Sequence, residues 1–163
     1  MEIIFRSDTK HRKQYFTGIS FSHPAKLSLP LQIWLIEKYT KPGDLILDPM
    51  AGSGTVLVAC SLGRNVIAID LEQKFVDMMK GNWEKIKQRG AQLGYKMGQA
   101  IILQGDARNL EGLLADSIIT SPPFADSKHN YKHGLKVLGN NFKGRKAWET
   151  KGQSLVDKII ISP

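Results

Sequence analysis

Four places in this sequence set polar or glycine chemistry directly after an apolar run. Asp48 stands before Met50-Ala51-Gly52-Ser53-Gly54-Thr55, Asp70 before Leu71 and Glu72, Gly105 before Asp106, and Ser121 before Pro122 and Pro123. Gly52 and Gly54 let a backbone turn tightly and approach a ligand closely, while Thr55 can open a helix behind them. The third glycine of a dinucleotide fingerprint is replaced by Leu57, and no Gly-Lys-Ser/Thr of a triphosphate loop follows. The loop therefore does not read as a phosphate cradle, which counts against a dinucleotide-dependent reductase. A carboxylate at Asp48 suits a cationic group. A second at Asp70, twenty-two residues on, can accept both hydroxyls of a ribose. A nucleoside carrying an ammonium group satisfies both. Plainer roles compete: Asp48 capping its own loop, Asp70 capping a helix that starts near Glu72, and Asp106 serving as a turn residue.

The elements that must position these residues are legible as alternating apolar runs and amphipathic stretches. A helix is expected from Ser28, capped by the serine hydroxyl, with Pro30 at an early position and Leu31, Trp34, Leu35 and Ile36 on its apolar face. Lys41-Pro42-Gly43-Asp44 ends it, LILDP reads as a buried strand, and Gly54 to Leu62 as a helix closed by Gly63. NVIAIDL, QAIILQGDA and SIITSPP read as further strands, with a long helix from Glu72 to about Arg89 and a short one near Leu110 to Leu114 between them. Strands alternating with helices imply an open α/β domain with a parallel sheet and right-handed crossovers. In such sheets ligands bind beyond the carboxyl ends of the strands, where strand order reverses. All four polar clusters fall at that edge.

S-adenosylmethionine is a nucleoside carrying an ammonium group, and here a resemblance joins the residue-level reading. DPMAGSGT (48–55), IDLE (69–72), GDAR (105–108) and TSPPF (120–124) resemble the motifs of S-adenosylmethionine-dependent DNA amino-methyltransferases of the N4-cytosine or N6-adenine type. HPAKLS, from His23 to Ser28, is similar to the segment preceding the cofactor loop in that family. The resemblance implies a Rossmann-like, doubly wound, mostly parallel sheet of the class I methyltransferase type, incomplete at its C-terminus. It implies cofactor contacts from Asp48, Pro49, Ala51, Gly52, Gly54, Thr55, Asp70, Leu71, Asp106 and Ala107, and a catalytic segment of Ser121, Pro122, Pro123 and Phe124. Ser121 and the Pro122 carbonyl would accept hydrogen bonds from an exocyclic amine, and Phe124 would stack on the flat base. The sulfonium is the electrophile, so no metal is required. His129 and His133 lack a third ligand for a metal site.

The 163 residues, 42% hydrophobic, are one domain's worth of chain. The expected division is a basic segment over 1–22, a cofactor-binding and catalytic core over 23–124, a basic loop or insertion over 125–155 and a terminal strand over 156–163. The net charge of +8 favours a polyanionic partner, DNA ahead of RNA, through counterion release. Lys128, Lys132, Lys143, Arg145 and Lys146 are the expected contacts; a solvated loop is the competing reading of the same stretch. Lys10, Arg12 and Lys13 form an earlier basic cluster. No long apolar run predicts a membrane span, and the lone Cys60 excludes an internal disulfide, which together fit a cytoplasmic protein. A competing function is a catalytically incomplete cofactor-binding module, either a fragment or a subunit that needs a partner chain or a homodimer. Its motive is the strand count: four strands and a terminal one are fewer than the resemblance implies for a whole catalytic domain. Separately, ADSIITSP (115–122) and VDKIIISP (156–163) agree at five of eight positions, so the second copy is a rival catalytic strand end. An RNA amino-methyltransferase is the third reading.

Overall fold

The computed structural model describes residues 8–22 and 27–122. The second copy of the repeated strand, the 125–155 stretch with its lysines, His23, His129 and His133 lie outside these residues. Helices α1 (Thr9–Arg12) and α2 (Leu29–Tyr39) lead into strand β1 (Leu45–Asp48). A 3-10 turn, Thr55–Leu57, runs into the one-turn helix α3 (Val58–Ser61). Then come β2 (Asn65–Asp70), α4 (Gln73–Arg89), β3 (Ala100–Gln104) and β4 (Ser117–Ile118). All pairings are parallel and the strand order is β3-β2-β1-β4. The chain steps outward from β1 to β3, then returns to the far side of β1, so strand order reverses between β1 and β4. This is the expected Rossmann-like α/β sheet with its switch point.

Period-two alternation along the strands divides the core. Ile46, Val66 and Ala68 face Leu29, Ile36, Val58, Val76, Met79 and Ile86 of the helices, whereas Leu47, Ile67 and Ile69 pack on the other face against Leu110 and Leu113. Each fully buried side chain of this size contributes about 1.5–3 kcal/mol. Cys60 is a buried member of the first cluster, and burial pushes its thiol up to about 12.

Several local expectations are corrected. In α2 the buried side chains are Leu29, Gln32 and, as expected, Ile36, whereas Leu31, Trp34 and Leu35 of the expected face are half-buried. Both sets have helical spacing, and packing on the sheet selects the first; Trp34 stays half-buried with the Lys38 ammonium 4.5 Å from its ring centroid. Ser28 occupies the N-cap position, but its hydroxyl makes no capping bond. The Leu29 N–H donates instead to Asp8 Oδ2 at 2.7 Å, across twenty-one residues. The helix foreseen for 110–114 is a turn, because Gly112 takes φ 79° and interrupts it after Leu113 N–H bonds the Leu110 carbonyl. The strand foreseen in SIITSPP is regular over Ser117–Ile118 only, and one further bond, Ile119 N–H to the Leu47 carbonyl at 3.1 Å, extends its pairing. Arg12, grouped with Lys10 and Lys13 in the early basic cluster, is 2% exposed, and Tyr15 and Phe16 beside it are core residues.

Candidate active site

β1 and β4 run side by side with Ile46 opposite Ser117 and Leu47 opposite Ile118. That register brings Asp48 level with Ile119, so the glycine loop leaving β1 and the Thr120-Ser121-Pro122 segment leaving β4 emerge next to each other. The loop is tightly built. Ala51 N–H bonds the Ile69 carbonyl at 2.9 Å and Gly54 N–H the Ala51 carbonyl at 2.8 Å. Gly54 has φ 76°, and a Cβ there would come within 2.7 Å of Met79 Cγ and 2.9 Å of Leu57 Cδ1. Glycine is thus required twice over, by the left-handed backbone and by the close approach of α4.

Asp48 is 7% exposed. Its Oδ1 accepts one backbone bond, from Met50 N–H at 3.1 Å. The Thr120 hydroxyl faces it closely enough to favour its ionised form, but settles into no hydrogen bond of ordinary geometry with any group. Burial dominates and raises the carboxyl from 3.8 to about 6; Thr120 and Met50 pull it down, and the Asp70 carboxylate adds a push upward. A buried carboxylate this sparsely bonded is suited to a cationic partner.

Asp70 has a structural task alongside the one expected. Its Oδ2 accepts Gly52 N–H at 2.8 Å and its Oδ1 accepts Glu72 N–H at 3.0 Å, tying the glycine loop to the start of α4. Each carboxylate oxygen retains acceptor capacity for a hydroxyl. Leu71, at 49% exposed, stands out beside it. Asp106 is a turn residue: Arg108 bonds it in a fork, with Nη2 2.5 Å from Oδ2, and its carbonyl accepts Asn109 N–H. The Arg108 side chain, then the Arg108 N–H, hold its carboxyl below the usual range. Thr55 turns its hydroxyl inward, where Oγ1 accepts from Arg12 Nη1 at 3.2 Å. Pro49 and Ala51 are buried within the loop; Ala107, following Asp106, is partly buried. Ser121 and Pro122 are exposed at the strand end, and Pro123 and Phe124 lie outside the described residues. Among the described residues no group of His, Cys, Asp or Glu could hold a metal ion, and no helix is long and apolar enough to cross a membrane.

Two residues beneath the loop escaped the sequence reading. Asn82 of α4 is fully buried and donates through Nδ2 to the Ser53 carbonyl at 2.7 Å. Its signal was present: it is a polar residue on the stripe Val76, Met79, Ile86 that α4 buries. Arg12 carried no comparable signal. The cleft of about 440 Å³ lies at the opposite edge of the sheet, lined by Gly63, Asn65, Tyr95, Lys96 and Gly98 among others, and it includes none of the strand-end acids.

Residues 2–81 match the family model described as DNA methylase. The type II methyltransferase M.HinfI of Haemophilus influenzae is 47% identical over 49 residues, which are 29% of this chain and 14% of that protein. M2.MboI of Moraxella bovis is 40% identical over 65 residues, 39% of this chain and 24% of the relative. M2.DpnII of Streptococcus pneumoniae is 36% identical over 87 residues, 48% of this chain and 32% of the relative. The chain thus spans no more than 32% of the length of these curated relatives. The span matched by the family model, just under half of the chain, holds β1, the glycine loop, β2 and the first half of α4, and over that span the chain is similar to the DNA methylase family.

Proposed function

We propose that this chain binds S-adenosylmethionine at the carboxyl edge of its sheet and directs its methyl group to an exocyclic amine of a DNA base, cytosine N4 or adenine N6. The observation that carries this reading is the switch point: the β1–β4 register sets a buried, sparsely bonded carboxylate and its glycine loop beside the Ser121-Pro122 strand end. Asp48 would meet the ammonium of the amino-acid part, and the loop at Pro49, Ala51, Gly52 and Gly54 would lie against it. Asp70 would accept ribose hydroxyls with its remaining lone pairs, with Leu71, Asp106 and Ala107 flanking the adenine.

When bound, the sulfonium supplies an electrophilic methyl: the amine lone pair forms the N–C bond, the C–S bond breaks to a neutral thioether, and one amine proton passes to water. The chain's own part is orientation. The Ser121 hydroxyl and the Pro122 carbonyl accept the two amine N–H groups, drawing the nitrogen out of conjugation and aiming its lone pair. Pro122 and Pro123 restrict the backbone that carries this carbonyl. Phe124 stacks on a base that has left the duplex, a contact of about 1–3 kcal/mol. Lys128, Lys132, Lys143, Arg145 and Lys146 would neutralise phosphates nearby.

A second reading is a cofactor-binding module that is a fragment or is completed by a partner chain or a second copy; the part of the relatives that the chain covers, at most 32% of their length, fits either. Calorimetric titration with S-adenosylmethionine, followed by transfer of labelled methyl to DNA and to transfer RNA, separates the readings. Binding with DNA labelling, lost in Asp48→Asn and in Phe124→Ala, is the expected result. Binding without transfer selects the fragment-or-partner reading, labelling of RNA alone overturns the DNA preference, and no binding overturns both.

A further inference from the structure

Residues 8–22 reach the glycine loop through two buried side chains, one on each side of Gly54. On the Thr55 side, Arg12 donates from Nη1 to Thr55 Oγ1 at 3.2 Å, from Nε and Nη2 to Asp8 Oδ2 at 3.3 and 3.1 Å, and from Nη2 to the Leu27 carbonyl. On the Ser53 side, Asn82 donates to the Ser53 carbonyl while its Oδ1 accepts from Thr17 N–H at 2.9 Å, Thr17 Oγ1 at 2.9 Å and Ser20 Oγ at 2.6 Å. The polar groups on both sides of the left-handed glycine are therefore fixed from below by chain outside the loop. Arg12 and Asn82 are 2% and 0% exposed, so water cannot substitute for either set of bonds.

We propose that Arg12 and Asn82 are positioning residues for the cofactor loop, coupling the N-terminal segment to the pre-formed conformation of residues 50–55. The proposal rests on the function proposed above for its ligand, though not for its geometry. A loop held in its binding conformation before the ligand arrives avoids the ordering cost at binding. Asp8 shares the same brace: its Oδ2 accepts from Arg12 and from the first N–H of α2. Burial opposes its charge, yet the Leu29 N–H and the Arg12 guanidinium hold its carboxyl below the usual range. The N-terminal segment is also bolted to α4 at a distance from the loop, where Lys85 Nζ donates to the carbonyls of Lys13 and Phe16 at 2.7 and 2.9 Å. That second attachment provides the control.

The experiment compares Arg12→Lys, Asn82→Ala, Thr55→Val and the double variant Arg12→Lys/Thr55→Val with Lys85→Ala, on the full chain. Two quantities are read: hydrogen exchange of the amides of residues 50–55 without ligand, and the Kd for S-adenosylmethionine, with thermal melting to normalise for the folded fraction. Arg12→Lys and Asn82→Ala are expected to accelerate loop exchange and to raise Kd about tenfold, and Arg12→Lys and Thr55→Val to be non-additive. Lys85→Ala is expected to lower the melting temperature without changing either quantity in the folded protein. Loop exchange at the wild-type rate in Arg12→Lys and Asn82→Ala, or the same acceleration in Lys85→Ala, would overturn the proposal. If the wild-type chain binds no S-adenosylmethionine, the functional reading fails, and the exchange arm still decides whether these residues position the loop.

Discussion

Asp48 and Arg64 are both buried charges, 7% and 3% exposed, at opposite ends of the same sheet, and the protein treats them in opposite ways. Arg64, at the amino end, is bonded at all three guanidinium nitrogens by the chain itself. Its Nε donates to Thr40 Oγ1 at 3.0 Å, Nη2 to the Thr40 carbonyl at 2.7 Å and Nη1 to the Leu62 carbonyl at 2.6 Å, and its guanidinium lies 5.6 Å from the Tyr95 ring centroid. It meets α2 at its C-terminal end, where a positive charge is favoured by the free carbonyls. Asp48, at the carboxyl end, has one backbone donor and a hydroxyl alongside. One charge is absorbed into structure; the other is held short of partners where a ligand can supply them. The cleft of about 440 Å³ lies at the Arg64 end, so it is the state of bonding of the buried charge that distinguishes the proposed binding edge.

The largest effect expected from this contrast is at the Arg64 end. Arg64→Ala removes three charge-assisted bonds and strands the Thr40 and Leu62 carbonyls, which should lower stability by about 4 kcal/mol in urea unfolding. Cofactor affinity of the folded fraction should not move. A loss below about 1 kcal/mol would show that Arg64 is not structurally absorbed and would dissolve the contrast.

At the other end the sign reverses. The folded chain raises Asp48 from 3.8 to about 6, so it holds that proton more tightly than the unfolded chain does. Stability from this group therefore falls as pH rises from about 4 to about 6, and the full cost of ionisation, about 3 kcal/mol, stands above that window. Asp48→Asn should then be more stable than wild type by up to about 3 kcal/mol above pH 6 and should match it below pH 4. Binding of a cation needs the ionised form, so affinity should weaken about tenfold per pH unit below 6 in wild type, while whatever weak affinity Asp48→Asn retains should not depend on pH in this window. Parallel pH–stability curves for the two proteins would remove Asp48 from the comparison.

The glycine loop is the next test, smaller because a flexible side chain can share the strain. Gly54→Ala forces a left-handed residue and a contact of 2.7 Å with Met79 Cγ, for a loss of about 2 kcal/mol in thermal unfolding. Introduced into a Met79→Ala background, the same change should keep the backbone part of the loss and the contact with Leu57 Cδ1 and shed only the clash with Met79. No loss at all relative to Met79→Ala would mean that the conformation of the loop is not what selects glycine there.

These contrasts also show which features a sequence can disclose. The strands and their polar ends were legible because buried parallel strands write continuous apolar runs, as LIL (45–47) before Asp48 and VIAI (66–69) before Asp70 do. α4 was legible because seventeen residues of helical period leave little ambiguity. The face of α2 was not, since two overlapping stripes both satisfy the period and only contact with the sheet decides between them. Nor were the brace and the amino-end anchor. Arg12 to Thr55 spans forty-three residues and Arg64 to Thr40 spans twenty-four, and nothing in local pattern tells a buried arginine from a surface one. Asp48 was placed at the right strand end by its neighbours in sequence, but its sparse bonding depends on Thr120, which the fold brings from β4.

The smallest expected effect falls on Ser28, at the end of α2 away from Arg64. Here a residue of the right type for an N-cap buries its hydroxyl without a partner, while Asp8, far away in sequence, accepts the Leu29 N–H in its place. Removing a hydroxyl that is buried and unbonded costs no hydrogen bond and relieves a desolvation penalty. Ser28→Ala should therefore change stability by less than about 0.5 kcal/mol, where an ordinary capping serine would lose about 1 kcal/mol. A loss of the ordinary size would mean that Ser28 caps α2 in solution and that Asp8 serves Arg12 alone. The two ends of α2 would then no longer be held by the same kind of long-range charged anchor, Asp8 at one and Arg64 at the other.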